Sequence, residues 1–271
     1  MFKRIYNFLT NKFLKRNLNE LNKNTATILI NQLIELEKKK NPKSLTAYGY
    51  KVFSQQDEDG IIEEIFRRTK IQKKTFIEIG LENGMQCNTT NLLLQNCSGL
   101  WIESNSYYVE TIKKNFSKYL NNKLDVICKK ATPDNINEIL SKNIKSKEID
   151  VLSIDIGVHT FHVLENISVI NPKIIVVEYN AKYGPKIDWK IEYNKEFNWD
   201  GSDYYGGSLK AFEHMMNKKN YLLVGCNITG VNAFFLSKDL INDEFINNFS
   251  SEFHFIKGRY WLKKAFDNNY K

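Results

Sequence analysis

From residue 75 onward, short apolar segments recur between longer helical ones, and this alternation restricts the chain to few folds. Thr75–Ile79 reads as a buried strand, followed by the turn Gly80–Gly84 and a helix near 88–96. Further strands are expected at 99–103, 123–128 and 149–155, with helices near 105–119, 134–143 and 160–169. A fifth strand covers 173–179. Parallel neighbours need crossovers of this kind, so the pattern predicts βαβ units with helices on both faces of one sheet.

The pattern then changes. A helix near 207–219 leads to apolar residues 221–225, a tight turn at Asn227–Gly230, and a second apolar run at 231–236. Two strands joined by a short Gly-containing turn form a hairpin. The expected fold class is therefore α/β, with a mostly parallel seven-stranded sheet that closes in an antiparallel hairpin. That is the Rossmann-like arrangement of class I methyltransferases, and a dehydrogenase would not normally end this way. The connection at 180–206 is rich in Tyr, Trp, Asp and Gly, and is long enough to be read as a substrate loop.

Ahead of this domain, expected over 46–271, residues 1–45 form a basic helical N-terminal extension. Phe2, Ile5, Tyr6, Leu9 and Phe13 recur at helical spacing, as do Ala26, Leu29, Ile30, Leu33 and Leu36. The polar run Asn22–Thr25 between them predicts a helical hairpin or two short helices. Of the formal charge of +8, residues 1–40 hold nine basic and three acidic side chains, or +6, which leaves +2 for the remainder. A nearly neutral body argues against a nucleic-acid partner. The extension is expected to pack on the main domain, on a second copy or another protein, or on an anionic membrane surface. Cys87, Cys97, Cys128 and Cys226 are scattered without metal-ligand spacing, so free thiols and a cytoplasmic location are expected.

The chemistry is expected at strand ends. Glu78-Ile-Gly80 with Gly84 places a carboxylate and two glycines in the first β–α turn, but the dinucleotide pattern of three glycines is missing. Glu103 ends the second strand, about 20 residues on, where an acid can bind ribose hydroxyls. Asp155 and Glu178 end later strands, where a carboxylate is costly without a partner. His159 and His162 follow Asp155 and titrate near neutral pH.

Over roughly residues 48–237 the chain resembles bacterial S-adenosylmethionine-dependent methyltransferases of the FkbM-like group. The resemblance is carried by Ser54-Gln-Gln-Asp-Glu-Asp-Gly60, Glu78-Ile-Gly80, Asn83-Gly84, Cys87-Asn-Thr-Thr-Asn91, Leu100-Trp-Ile-Glu103, Leu152-Ser-Ile-Asp155, Val177-Glu-Tyr-Asn180, Phe197–Asp203 and Gly230–Phe235. It implies S-adenosyl-L-methionine as cofactor. Gly80 and Gly84 would line its methionine moiety, Glu78 would sit near the amino group, and Glu103 would bind the ribose. Asn88, Thr89, Gln55 and Asp155 would add polar contacts, with Thr132 near the adenine.

Asp155, His159 and Glu178 are the candidate catalytic groups. Asn180, Tyr183, Trp199, Asp200, Asp203 and Tyr204 are the candidate substrate contacts, because carboxylates accept from hydroxyls and aromatic faces pack on sugar rings. The reaction implied is O-methylation of a small polar acceptor, such as a sugar or a phosphate-bearing precursor of a surface polysaccharide. The alternative is a catalytically silent subunit that keeps the cofactor pocket. The chain departs from the group after Asp155, where Gly157 and Thr160 occupy positions that usually carry acids. No metal ligand is assigned for that reason, although a divalent metal held by Asp155, His159, His162 and Glu178 stays open.

Overall fold

A computed structural model describes residues 2–71, 75–144 and 146–266, with side chains from residue 12 onward. Its seven strands are β1 (Thr75–Ile79), β2 (Ser98–Glu103), β3 (Leu124–Cys128), β4 (Glu148–Ile154), β5 (Asn171–Glu178), β6 (Tyr221–Cys226) and β7 (Asn232–Ser237). They form one sheet in the order β3-β2-β1-β4-β5-β7-β6. Only β7 runs antiparallel to its neighbours, β5 and β6. This is the class I methyltransferase form of the Rossmann-like fold, as the alternation and the closing hairpin predict. The strand order reverses between β1 and β4, which opens a crevice at their carboxyl ends.

Side-chain alternation divides the core into two layers. Ile77, Ile79, Ile154 and Val177 face α5 (Ile136–Asn143), α6 (Thr160–Asn166) and α7 (Leu209–Lys218). Phe76, Trp101, Val176 and Phe234 face α2 (Glu58–Thr69), α3 (Thr90–Leu94) and α4 (Ser106–Asn115). Both layers are apolar, which is why the strands read as continuous hydrophobic runs.

The N-terminal segment is a single helix, α1 (Phe2–Lys40), rather than the hairpin or helix pair expected from the Asn22–Thr25 run. That run contains no Gly or Pro, and each of its residues costs only a few tenths of a kcal/mol in a helix. The Thr27 hydroxyl donates to the Lys23 carbonyl at 2.9 Å, and Ala26 is buried against the body, so the helix continues.

The entry to α2 is a buried polar knot. Asp59 Oδ2 accepts from the amides of Val52, Phe53 and Ser54, each at 2.7 Å. Glu58 Oε1 accepts from Asn227 and Asn232 side-chain amides at 2.9 and 2.8 Å, and Asp57 Oδ2 accepts from the Ile228 amide at 3.1 Å. These bonds fasten residues 52–59 to the β6–β7 turn. Asp57 Oδ1 and Asp59 Oδ1 are buried without a hydrogen-bond partner among the described residues. Burial and the neighbouring Glu58 push the Asp57 carboxyl up to about 8.

Between an unfolded value near 3.8 and this folded value, the folded chain holds a proton that the unfolded chain has released, so stability falls as pH rises from 4 to 8. Asp57→Asn removes this contribution. Its melting temperature should exceed that of the native chain by a few degrees at pH 8, on the order of 2–4 °C per kcal/mol, and the gain should shrink toward pH 5. Melts across that range measure it.

Candidate active site

A cleft of about 600 Å³ lies at the carboxyl ends of the strands beside the β1–β4 switch point. This volume is within the usual range for small-molecule sites. Of the residues singled out in the sequence, Gln55, Glu78, Gly80, Asn88, Glu103, Asp155 and His159 line it together.

Glu78 closes its inner end. Oε1 accepts from the Asn88 amide at 3.0 Å and the Ser153 hydroxyl at 3.2 Å; Oε2 accepts from the Thr89 amide at 2.9 Å and the Thr89 hydroxyl at 2.5 Å. The Thr89 hydroxyl in turn accepts from Trp101 Nε1 at 2.8 Å, so Thr89 is spent inside the fold and does not line the cleft. Burial raises the Glu78 carboxyl to about 7, against the pull of these donors.

Gly80 has φ +78°, and its amide donates to the Ile102 carbonyl at 2.9 Å. A Cβ there would run into the Asp155 carbonyl oxygen, so only glycine lets β1 leave past the end of β4. Gly84 lies beneath the cleft, where a Cβ would meet the Trp101 and Phe116 rings at 3.0 Å. Glu103 accepts from the Leu81 and Glu82 amides at 3.1 and 2.9 Å through Oε2, and from the Asn105 amide at 2.8 Å through Oε1. It therefore fastens the glycine turn while facing the cleft. Thr132 is outside the lining, but its neighbour Ala131 is part of it.

At the other end of the lining, Asp155 is exposed toward the cleft, and half-buried Glu178, outside the lining, lies close enough for the two carboxyls to interact. Surrounding protein desolvates both groups and raises both, Glu178 strongly because the Asp155 charge adds to the burial, while Lys263 pulls both down. Each carboxyl is thus held more readily protonated than an ordinary carboxylate, Glu178 more so than Asp155. Tyr205, whose hydroxyl lies 3.4 Å from that of Tyr260, is also raised, first by burial and further by Tyr260 and the Glu178 charge. His159 Nε2 lies 3.2 Å from the Phe197 carbonyl. A carbonyl only accepts, so Nε2 carries the hydrogen and Nδ1 keeps a lone pair. Burial, with Lys130 nearby, lowers this histidine below its ordinary value.

Gly157, at φ +63°, has open space around it, and the Thr160 hydroxyl accepts from the Ile156 amide at 3.0 Å. These positions build a turn and helix start. Among the described residues, no group of three or more His, Cys, Asp or Glu side chains is placed to hold a metal ion. His162 lies outside the cleft and pins the 180–206 loop through the Ile191 carbonyl at 2.7 Å.

None of the six loop residues singled out as substrate contacts lines the cleft. The buried Asn180 side chain donates to the Asp203 and Tyr205 carbonyls at 2.8 and 3.0 Å, which folds the loop on itself. Tyr183 stacks on Trp189 at 4.1 Å, and Tyr204 meets the same indole edge-on. Trp199 Nε1 donates to the Ser202 carbonyl, Asp200 accepts from the Ser202 amide, and Asp203 pairs with Lys182. Sequence reasoning missed Lys129, Lys130 and Asn232 in the lining, Lys263 near the carboxyl pair, and Tyr260 beside Tyr205. The lysines sit directly after β3, at a strand end like the residues that were found. No local pattern marks Tyr260 or Lys263.

No family model matches the chain, and no curated protein matches it in sequence. Among solved structures, it is similar to a putative caffeoyl-CoA O-methyltransferase from Staphylococcus aureus at 16% identity and a TM-score of 0.47, over 80% of this chain and 99% of that one. It is similar to magnesium protoporphyrin IX methyltransferase from Synechocystis PCC 6803, solved with bound SAH, at 8% identity and a TM-score of 0.46, over 68% and 83% of the two chains. A SAM-dependent methyltransferase from Aquifex aeolicus matches at 9% identity and a TM-score of 0.39, over 64% and 87%.

Proposed function

We propose that this chain is an S-adenosylmethionine-dependent methyltransferase that acts on a hydroxyl of a small polar acceptor. The observation that carries this reading is the Glu78 carboxylate seated on the Asn88 and Thr89 amides. In dinucleotide-binding sheets, the amides after β1 receive a pyrophosphate. Here an internal carboxylate occupies them, so the inner end of the cleft disfavours a phosphate. Glu82, Glu103 and Asp155 add negative charge to the lining, against Lys129 and Lys130. A donor set of this kind fits a ligand that carries ammonium and sulfonium charge. Bound there, S-adenosylmethionine would supply an electrophilic methyl group.

The protein's own part is to align the acceptor and remove its proton. Asp155, which lines the cleft and whose carboxyl is raised by burial beside Glu178, is the group we assign to accept it. His159 Nδ1 is a second proton acceptor on the same side. The narrower acceptor class, a sugar or phosphate-bearing precursor of a surface polysaccharide, rests on the resemblance in sequence.

As pH rises through about 7, Glu78 loses its proton and the cleft gains a negative charge. S-adenosylmethionine carries one more positive charge than S-adenosylhomocysteine, so the ratio of their affinities should rise a few-fold between pH 6 and 8. Titration calorimetry of both ligands across this range measures it. A flat ratio would remove the charge argument. Tight binding of both ligands with no methyl transfer to any hydroxyl acceptor would favour the catalytically silent subunit.

A further inference from the structure

α1 extends past the body it packs on. Ala26 and Ile30 are buried against Ile228 and Leu262, with Leu29, Leu33 and Ile34 beside them. Every side chain from Lys12 to Asn22 is exposed. Within that stretch and the next turns, Phe13, Leu14, Leu18, Leu21 and Ile28 are between 57% and 64% exposed. At 3.6 residues per turn these five share one side of the helix. Lys12, Lys15, Arg16 and Lys23 fall on the opposite side, with Lys15 and Arg16 nearest the apolar sector. Between residues 12 and 34 the only acidic side chain is Glu20, and it is paired with Arg16 at 3.4 Å. A helical stretch with no tertiary cover is marginal in water, so this apolar side needs an occupant.

Charge decides between the candidates. A second copy would bring a helix of the same positive sign against this one. A bilayer bearing anionic lipids offers an apolar layer for the leucines and negative headgroups for the lysines, which is the arrangement of an interfacial amphipathic helix. Trp261 is exposed on the C-terminal segment that α1 packs against, and an indole there suits the headgroup region. We infer that residues 12–28 of α1 form a docking surface for an anionic membrane, with Phe13, Leu14, Leu18, Leu21 and Ile28 entering the interface and Lys12, Lys15 and Arg16 engaging headgroups. The body, carried on residues 26–34 of the same helix, is then held at the bilayer surface.

The test is co-sedimentation of the full chain with vesicles of phosphatidylcholine alone and of phosphatidylcholine with about 30% phosphatidylglycerol, at low and high salt. The expected result is binding to the anionic vesicles, weakened at least about tenfold by removing the anionic lipid, by high salt, or by Lys12→Glu/Lys15→Glu. Leu14→Glu/Leu18→Glu/Leu21→Glu should abolish binding to those vesicles. Leu14, Leu18 and Leu21 lie away from the side of α1 that packs on the body, and exposed Lys12 and Lys15 lie more than two turns before buried Ala26, so the melting temperature should stay within a degree or two of the native value. A fall beyond that, with lost binding, would place these side chains in the body's own packing and overturn the assignment. Equal binding to neutral vesicles, or no binding to either, would also overturn it. So would a dimer in light scattering that the leucine variant dissolves while vesicle binding is absent, because the occupant would then be a second copy.

Discussion

Gly80→Ala is expected to lower the melting temperature by several degrees and to abolish binding of S-adenosylhomocysteine. Two costs add. A residue with a side chain at φ +78° is disfavoured by about 1–2 kcal/mol. The new Cβ also overlaps the Asp155 carbonyl oxygen, a backbone atom that no side-chain rotation can clear. The ends of β1 and β4 must then separate, and the Asp155 amide bond to the Ile79 carbonyl, 3.0 Å long, is strained with them. Gly157→Ala is the control: its φ is +63°, but nothing lies within 4 Å of the added atom. It should lose only about 1 kcal/mol and keep ligand binding. Equal effects at the two positions would mean that the close approach at Gly80 has no consequence.

Asp155→Asn is expected to reduce methyl transfer by about a hundredfold or more, while S-adenosylhomocysteine affinity changes only a few-fold. The amide keeps the size of the side chain but cannot take up or release a proton. With the Asp155 charge gone, the Glu178 carboxyl should fall, without reaching the ordinary range, because burial is the larger cause of its rise. The pH–rate profile of the residual activity should therefore shift toward acid. Sign also separates chemistry from misfolding. Both carboxyls are raised in the folded chain, so above their unfolded values ionisation opposes folding, and removing one should leave stability at pH 8 unchanged or higher. A melting temperature that falls along with activity would count against a role in proton transfer.

Where the sequence was legible, one physical signal was strong. Doubly covered strands must be apolar on both faces, so β1, β2, β4 and β5 stood out, and a polar residue at the end of such a run had to mean something. That logic found Glu78, Gly80, Glu103 and Asp155 at the rim of one cleft. It failed where direction mattered more than composition. Tyr183, Trp199 and Asp203 share a loop whose aromatic content suggested a substrate platform. The loop instead spends these groups on itself, through the Tyr183–Trp189 stack and the Asp203–Lys182 pair. The start of α2 was obscure because Asp57, Glu58 and Asp59 look solvated in sequence and are buried in the structure. The partners of Asp57 and Glu58, namely Ile228, Asn227 and Asn232, lie about 170 residues away. Lys263 and Tyr260 reach Glu178 and Tyr205 only because the C-terminal segment folds back over the strand ends and packs on α1.

The central claim, a cleft built for a sulfonium cofactor and its thioether product and closed to a pyrophosphate, is tested most directly by parallel calorimetric titration of the full chain with S-adenosylhomocysteine and with NAD. The account predicts one-to-one binding of S-adenosylhomocysteine in the micromolar range and no measurable heat from NAD. NAD binding as tight as that of S-adenosylhomocysteine, or no binding of S-adenosylhomocysteine at millimolar concentration, would contradict it.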